Sequence, residues 1–187
     1  MDRLQRDAYT LDRDEATLLV IDIQERLAVA MKHKDRAIAN AGILLKAAKE
    51  LALPVVATEQ YPKGLGHTVP ELLPLINERD TFSKVSFDAY TGDIAEAIKR
   101  TGRRKILVAG METHVCVYQT VRSLIANGYD VHVVQDAVSS RTEENFQSGL
   151  TLMQNLGAVI TNTETALFDL LKVAGTPEFK ALSALIK

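Results

Sequence analysis

The chain has 187 residues, 47% of them hydrophobic and 25% charged, the make-up of a single globular domain with a sizeable core. Its net charge is −2, and no Lys/Arg stripe or aromatic platform stands out, which argues against nucleic acid as a partner. One cysteine rules out an intrachain disulfide framework, residues 1–16 lack the apolar core of a signal peptide, and no apolar run approaches the ~20 residues of a membrane span, so a cytoplasmic protein is expected.

Strands and helices alternate along the chain. Residues 17–23 form a continuous apolar run carrying one carboxylate, Asp22, near its end. Helical spacing covers 34–53, with Ile38, Leu44, Leu45, Ala48 and Leu51 on the apolar side. Pro54 opens a second strand over 55–58, a Gly/Pro-rich loop follows over 59–70, and a short helix is expected over 71–77. A weaker third strand over 81–84 ends at Lys84, and 93–100 reads as helix. The fourth strand, 106–109, leads through Gly110 to Cys116, from which Val117, Val121, Leu124 and Ile125 recur at helical spacing up to Gly128. A fifth strand over 130–134, a helix over 142–156, a sixth strand over 158–161 and a helix over 164–173 follow, and Pro177 begins an amphipathic tail. This alternation implies βαβ units and a parallel sheet covered on both faces. No repeat or composition break divides the chain, so one domain over 1–187 is expected, with an N-terminal extension over 1–16 and a tail over 177–187.

Ligands of open parallel sheets bind beyond the carboxyl ends of the strands. Asp22, Lys84 and Cys116 stand at three such ends. In the first turn of a helix, free N–H groups and the helix dipole favour a thiolate at Cys116, although an unpaired cysteine is also a common core residue. Lys84 can neutralise Asp22, and the pair can activate the thiol. The plain alternative is a loop-capping Asp and an exposed Lys.

Three motifs in order resemble the isochorismatase-like cysteine hydrolase superfamily: Val20-Ile21-Asp22-Ile23-Gln24, Lys84-Val85-Ser86-Phe87-Asp88-Ala89-Tyr90 and Gly110-Met111-Glu112-Thr113-His114-Val115-Cys116-Val117. Stretches 58–66, 137–141 and 176–180 resemble the isochorismatase domain-containing proteins in particular. The resemblance implies a three-layer α/β/α Rossmann-like fold with a six-stranded parallel sheet of order 3-2-1-4-5-6. It implies a catalytic triad of Asp22, Lys84 and Cys116, with the backbone N–H groups of Glu112 and Cys116 as oxyanion hole. It also implies a non-proline cis peptide at Met111–Glu112. The expected reaction is hydrolysis of a small amide, ureido compound or ester, C–N bonds other than peptide bonds being favoured, through a Cys116 thioester.

Departures from relatives narrow this further. Nicotinamidases carry an Asp-x-His metal motif after the second strand, where this chain has Glu59-Gln60-Tyr61. Glu59 and His67 do not complete a zinc site, so no metal or cofactor is expected. True isochorismatases commonly lack the cysteine. Gln24, Gln60, Tyr61, His67 and Phe87 are candidate substrate-binding residues. A redox sensor using Cys116 and a non-catalytic scaffold remain alternatives. Family members are usually oligomeric, so a homo-oligomer is expected, with the apolar face of Phe179, Leu182, Leu185 and Ile186 at an interface or packed on its own domain.

Overall fold

The computed structural model describes residues 7–186; residues 1–6 of the expected N-terminal extension and Lys187 of the tail lie outside them. Strands β1 (Ala16–Ile21), β2 (Val55–Gln60), β3 (Thr81–Lys84), β4 (Lys105–Met111), β5 (Asp130–Ser139) and β6 (Val159–Thr161) form one sheet. Their order is β3-β2-β1-β4-β5-β6 and every pairing is parallel, as the resemblance implies. The longer helices are α1 (Lys34–Glu50), α2 (Gly92–Arg100), α3 (Tyr118–Ala126), α4 (Glu143–Asn155), α5 (Thr163–Leu171) and α6 (Pro177–Ser183).

Alternation along β1 sorts the core into two layers. Leu18 and Val20 join Leu44, Leu45, Leu167 and Leu170 of α1 and α5 on one face. Leu19 and Ile21 join Ile94, Ile98, Val121, Leu124 and Met153 of α2, α3 and α4 on the other. Each such side chain contributes about 1.5–3 kcal/mol when fully buried. Continuous apolar runs in β1 and β4 therefore reflect burial on both faces. Among the described residues, no helix is long and apolar enough to cross a membrane.

Several boundaries differ from the sequence reading, each for a local reason. Helix α1 stops at Glu50 because Ala52 is left-handed (φ 55°), and the Leu53 N–H turns back to the Ala48 carbonyl at 2.8 Å. The helix expected over 71–77 shrinks to a 3₁₀ turn at Leu73–Leu75, since Pro74 offers no N–H to extend it. Strand β2 continues through Glu59 and Gln60, and a single helical turn, Pro62–Leu65, replaces part of the expected loop. Strand β5 runs on to Ser139 through a register shift that pairs Val138 with Gly110 and Ser139 with Met111. The tail turns its apolar face inward: Leu182 is buried in the core, Leu185 and Ile186 pack against it, and Phe179 lies 6.1 Å from Phe168. That face is thus covered by its own chain and gives no argument for an interface.

Gly110 is held where no side chain fits. Its φ is 151°, and a Cβ there would stand 2.7 Å from Ile21 Cβ and 3.0 Å from the Ile21 carbonyl carbon. Gly110→Ala is expected to wedge β4 from β1 and destabilise the protein by at least about 2 kcal/mol, measured by urea denaturation.

At the opposite end of the sheet, His132 of β5 is buried and its Nε2 has no hydrogen-bond partner among the described residues. Burial, then the neighbouring Lys105 ammonium, pushes the imidazole down to about 4. Between the ordinary histidine value of about 6.5 and this value, the unfolded chain holds a proton that the folded chain refuses. Stability should therefore fall as pH drops through that window, and His132→Phe should flatten the dependence in denaturant titrations.

Candidate active site

The site is assembled by strand register. Parallel pairing sets Ile21 level with Thr58 and with Gly110, and Gln60 level with Lys84. Directly after Ile21 the chain turns left-handed at Asp22 (φ 53°), a conformation Asp tolerates better than most residues. Its carboxylate, with no solvent exposure, is aimed across the ends of β2 and β3. Thr58 Oγ1 donates to Asp22 Oδ1 at 2.7 Å, and Lys84 Nζ donates to Asp22 Oδ2 at 2.7 Å. The same ammonium donates to Gln60 Oε1 at 2.8 Å and to the Ser86 and Phe87 carbonyls at 3.1 and 3.4 Å. A buried ion pair is tolerable only with such additional partners.

Cys116 follows β4, but not in an ordinary first helical turn. The Met111–Glu112 peptide is cis, and residues 113–117 form a wide π-type turn in which the Val117 N–H reaches the Glu112 carbonyl at 3.2 Å. Helix α4 packs tightly on this turn through Gly149, where a Cβ would come within 2.9 Å of the His114 nitrogen. His114 Nδ1 also lies 3.1 Å from Ser140 Oγ. Cys116 is only 5% exposed, and the charges of Asp22 and Lys84 both act on its thiol.

Burial works against the thiolate that the helix-start position favours. Burial pushes the Cys116 thiol up to about 12, and the Asp22 carboxylate adds to that rise; the pull of Lys84 in the other direction is outweighed. Asp22, Lys84 and Cys116 thus lie together, the first two in direct contact and the third under the influence of both.

The five candidate substrate-binding residues divide. Gln24 is fully buried and its amide is spent on the frame: Nε2 donates to the Gln60 and Gly66 carbonyls at 3.0 and 2.6 Å, and Oε1 accepts from the Gln60 N–H at 2.7 Å. Gln60 holds Lys84 through Oε1 and donates to the Val85 carbonyl through Nε2 at 2.8 Å. Both amides are engaged by the frame of the site. Tyr61 and Phe87 are each 53% exposed, and both are tied by backbone to Lys84, whose carbonyl accepts from the Tyr61 N–H at 2.8 Å. They remain free to meet a ligand. His67 is exposed and joins Glu59 Oε2 through Nδ1 at 3.0 Å. Glu59 Oε1 accepts from the Thr68 N–H and hydroxyl at 2.7 and 2.9 Å. Burial pushes the Glu59 carboxyl up, but the bonds from Thr68 and His67 outweigh it and hold it below the usual range. Glu59 is therefore a loop strut, and among the described residues no group of three or more His, Cys, Asp or Glu side chains is arranged to hold a metal ion.

Two concavities among the described residues are not lined by Cys116. One of about 410 Å³ lies between α1 and the loop before β3, lined by Ile38, Lys46, Glu71 and Leu75. Another of about 470 Å³ flanks β3 and the start of α2 and is lined by Lys84 but by neither Asp22 nor Cys116. The grouping of Asp22, Lys84 and Cys116 is the better guide to a candidate site than cavity size.

Fold and site together define a Rossmann-like α/β protein with a buried thiol beside a buried carboxylate–ammonium pair at the point where strand order reverses. Residues 16–165 match the isochorismatase domain, and the chain belongs to the isochorismatase family, with its hydrolase fold. It is 37% identical to isochorismatase domain-containing protein 2 of Xenopus laevis over 94% of this chain and 85% of that protein. Among solved structures it is similar to the MAR1 ribonuclease of Caenorhabditis elegans, with a TM-score of 0.90 and 35% identity over 95% of this chain and 92% of the other. It is also similar to the YcaC gene product of Escherichia coli, an octameric hydrolase of unknown specificity, with a TM-score of 0.89 and 27% identity over 95% and 90% of the two chains.

Proposed function

We infer that the protein is a cysteine hydrolase of small amides, ureido compounds or esters, with Asp22, Lys84 and Cys116 as its catalytic triad. The observation that carries this is the fully buried Asp22 carboxylate paired with Lys84 at 2.7 Å, with the buried Cys116 thiol under the influence of both charges. As Cys116 Sγ bonds to the substrate carbonyl carbon, its proton passes to Asp22. The oxyanion is received by the backbone N–H groups of Glu112 and Cys116, each such donor being worth roughly 3–4 kcal/mol in comparable sites. Asp22 then gives the proton to the departing amine or alkoxide, leaving a thioester. Water attacks the thioester carbonyl, its proton returns through Asp22 to sulfur, and the acid is released. Lys84 holds the Asp22 carboxylate in place throughout.

A redox role is less well supported, because a protonated, buried thiol is a poor partner for peroxide. A small-molecule substrate is favoured over RNA, since the chain has a net charge of −2 and no basic stripe. We place the protein in a reducing compartment such as the cytoplasm, in keeping with a single free cysteine. We read it as one domain acting as a homo-oligomer, by analogy with the octameric E. coli hydrolase.

Iodoacetamide labelling of the only cysteine, followed by mass spectrometry across pH, tests the site together with p-nitrophenyl acetate hydrolysis. Labelling should keep rising through alkaline pH, and Cys116→Ala should abolish both signals. A labelling plateau near neutrality would refute the proton-transfer scheme, and ester hydrolysis surviving in Cys116→Ala would refute the nucleophile.

A further inference from the structure

We propose that Thr120, which touches neither Asp22 nor Lys84, is a positioning residue whose hydroxyl couples the nucleophile turn to the loop that holds the Lys84 ammonium. This rests on Cys116 being the nucleophile. Thr120 is fully buried on α3, and its Oγ1 donates to the Cys116 carbonyl at 2.6 Å. Taken alone, that bond is ordinary, because a helical threonine often donates to the carbonyl four residues back. The second bond is not local: the Ala89 N–H donates to Thr120 Oγ1 at 2.9 Å, from a residue 31 positions away. The hydroxyl's one proton and one of its lone pairs are therefore both engaged, and the bridge has a fixed direction.

The bridge joins the Cys116 backbone directly to the loop that holds Lys84. Ala89 is fully buried at the end of the loop whose Ser86 and Phe87 carbonyls accept from Lys84 Nζ. One turn further along α3, Ser123 Oγ donates to Asp88 Oδ2 at 2.5 Å. Ser123 thus ties down the same loop without touching the Cys116 backbone. Neighbours three apart lie on one helix face, so the two residues form a natural pair for comparison. Thr120→Val keeps shape and burial but leaves the Cys116 carbonyl and the Ala89 N–H without this partner. Thr120→Ser keeps the hydroxyl and removes only a methyl group.

The test compares wild type, Thr120→Val, Thr120→Ser and Ser123→Ala by iodoacetamide labelling across pH, p-nitrophenyl acetate kinetics and thermal melting. Thr120→Val should lower kcat by about tenfold or more, as small misplacements of reacting groups do, with a smaller change in KM. Its labelling profile should move to higher pH, because the sulfur loses part of the Lys84 field. Thr120→Ser should stay within about threefold of wild type, and Ser123→Ala should change kcat less than Thr120→Val does. A Thr120→Val protein that melts lower but labels with the wild-type pH profile would overturn the proposal and leave a purely structural threonine. Hydrogen exchange of the wild-type protein decides the matter independently of whether the variant folds: a slow Ala89 amide is expected, and free exchange there would show that the bridge is not made. If wild-type protein labels but hydrolyses no ester, the hydrolase reading falls while the labelling comparison still reads the coupling.

Discussion

Asp22→Asn should make Cys116 label faster while ester hydrolysis collapses. The two signs follow from one charge. In the native site burial and then the field of the carboxylate raise the thiol's titration, whereas Lys84 acts in the opposite direction. Asparagine removes the negative charge and leaves Lys84 in place, so the thiol should titrate below its native value of about 12 and expose more thiolate at any given pH. Labelling by iodoacetamide, which needs only the thiolate, should accelerate. Turnover needs a group that takes a proton and returns it to the leaving group, and loss of such a group typically costs 10²–10⁴-fold, so kcat should fall by about that factor. The Lys84 ammonium would keep Gln60 Oε1 and the Ser86 and Phe87 carbonyls as acceptors, which limits the damage to folding. General disruption of the site would slow both reactions, so opposite changes in labelling and hydrolysis identify the base. Slower labelling in Asp22→Asn would mean that the carboxylate does not govern the thiol.

How much of this site could be read beforehand depends on which physical quantity each residue reports. Asp22, Lys84 and Cys116 were legible because a charged or nucleophilic residue closing an apolar strand is conspicuous in one dimension. The alternation of elements likewise predicts the layers, since a parallel strand needs a crossover before its neighbour. Register is different: that Lys84 lies level with Gln60, and Thr58 beside Asp22, follows from pairing and leaves no local mark. Gln24 and Gln60 therefore looked like pocket residues, because composition does not reveal which backbone groups will claim an amide first. Thr120 was missed for a similar reason; a hydroxyl inside an amphipathic helix gives no sign that a loop 31 residues upstream will bond to it. Helix position is visible in sequence but depth of burial is not, and burial is the leading cause of the rise at Cys116.

Lys84→Ala should be the most damaging single change, and its cost should be recoverable in part. Asp22 and Lys84 side chains are 0% and 3% exposed, so the pair is shielded from water and from salt. Removing the cation leaves a fully buried carboxylate with the Thr58 hydroxyl as its remaining strong side-chain donor. It also empties a space next to three oxygen acceptors that had been satisfied by one ammonium. Breaking one side of a buried pair usually costs about 3–5 kcal/mol, whereas removing both charges is far cheaper. The double variant Asp22→Asn, Lys84→Ala should therefore be more stable than Lys84→Ala alone in urea denaturation, a non-additivity that only direct coupling produces. Labelling separates the two roles of the lysine. With Asp22 intact and no cation to oppose it, the thiol should be harder to ionise than in wild type, and iodoacetamide labelling should slow at every pH below the native titration. If Lys84→Ala labels with the wild-type pH profile, the lysine does not act on the sulfur, and the triad reduces to an Asp–Cys pair held up by a structural ion pair.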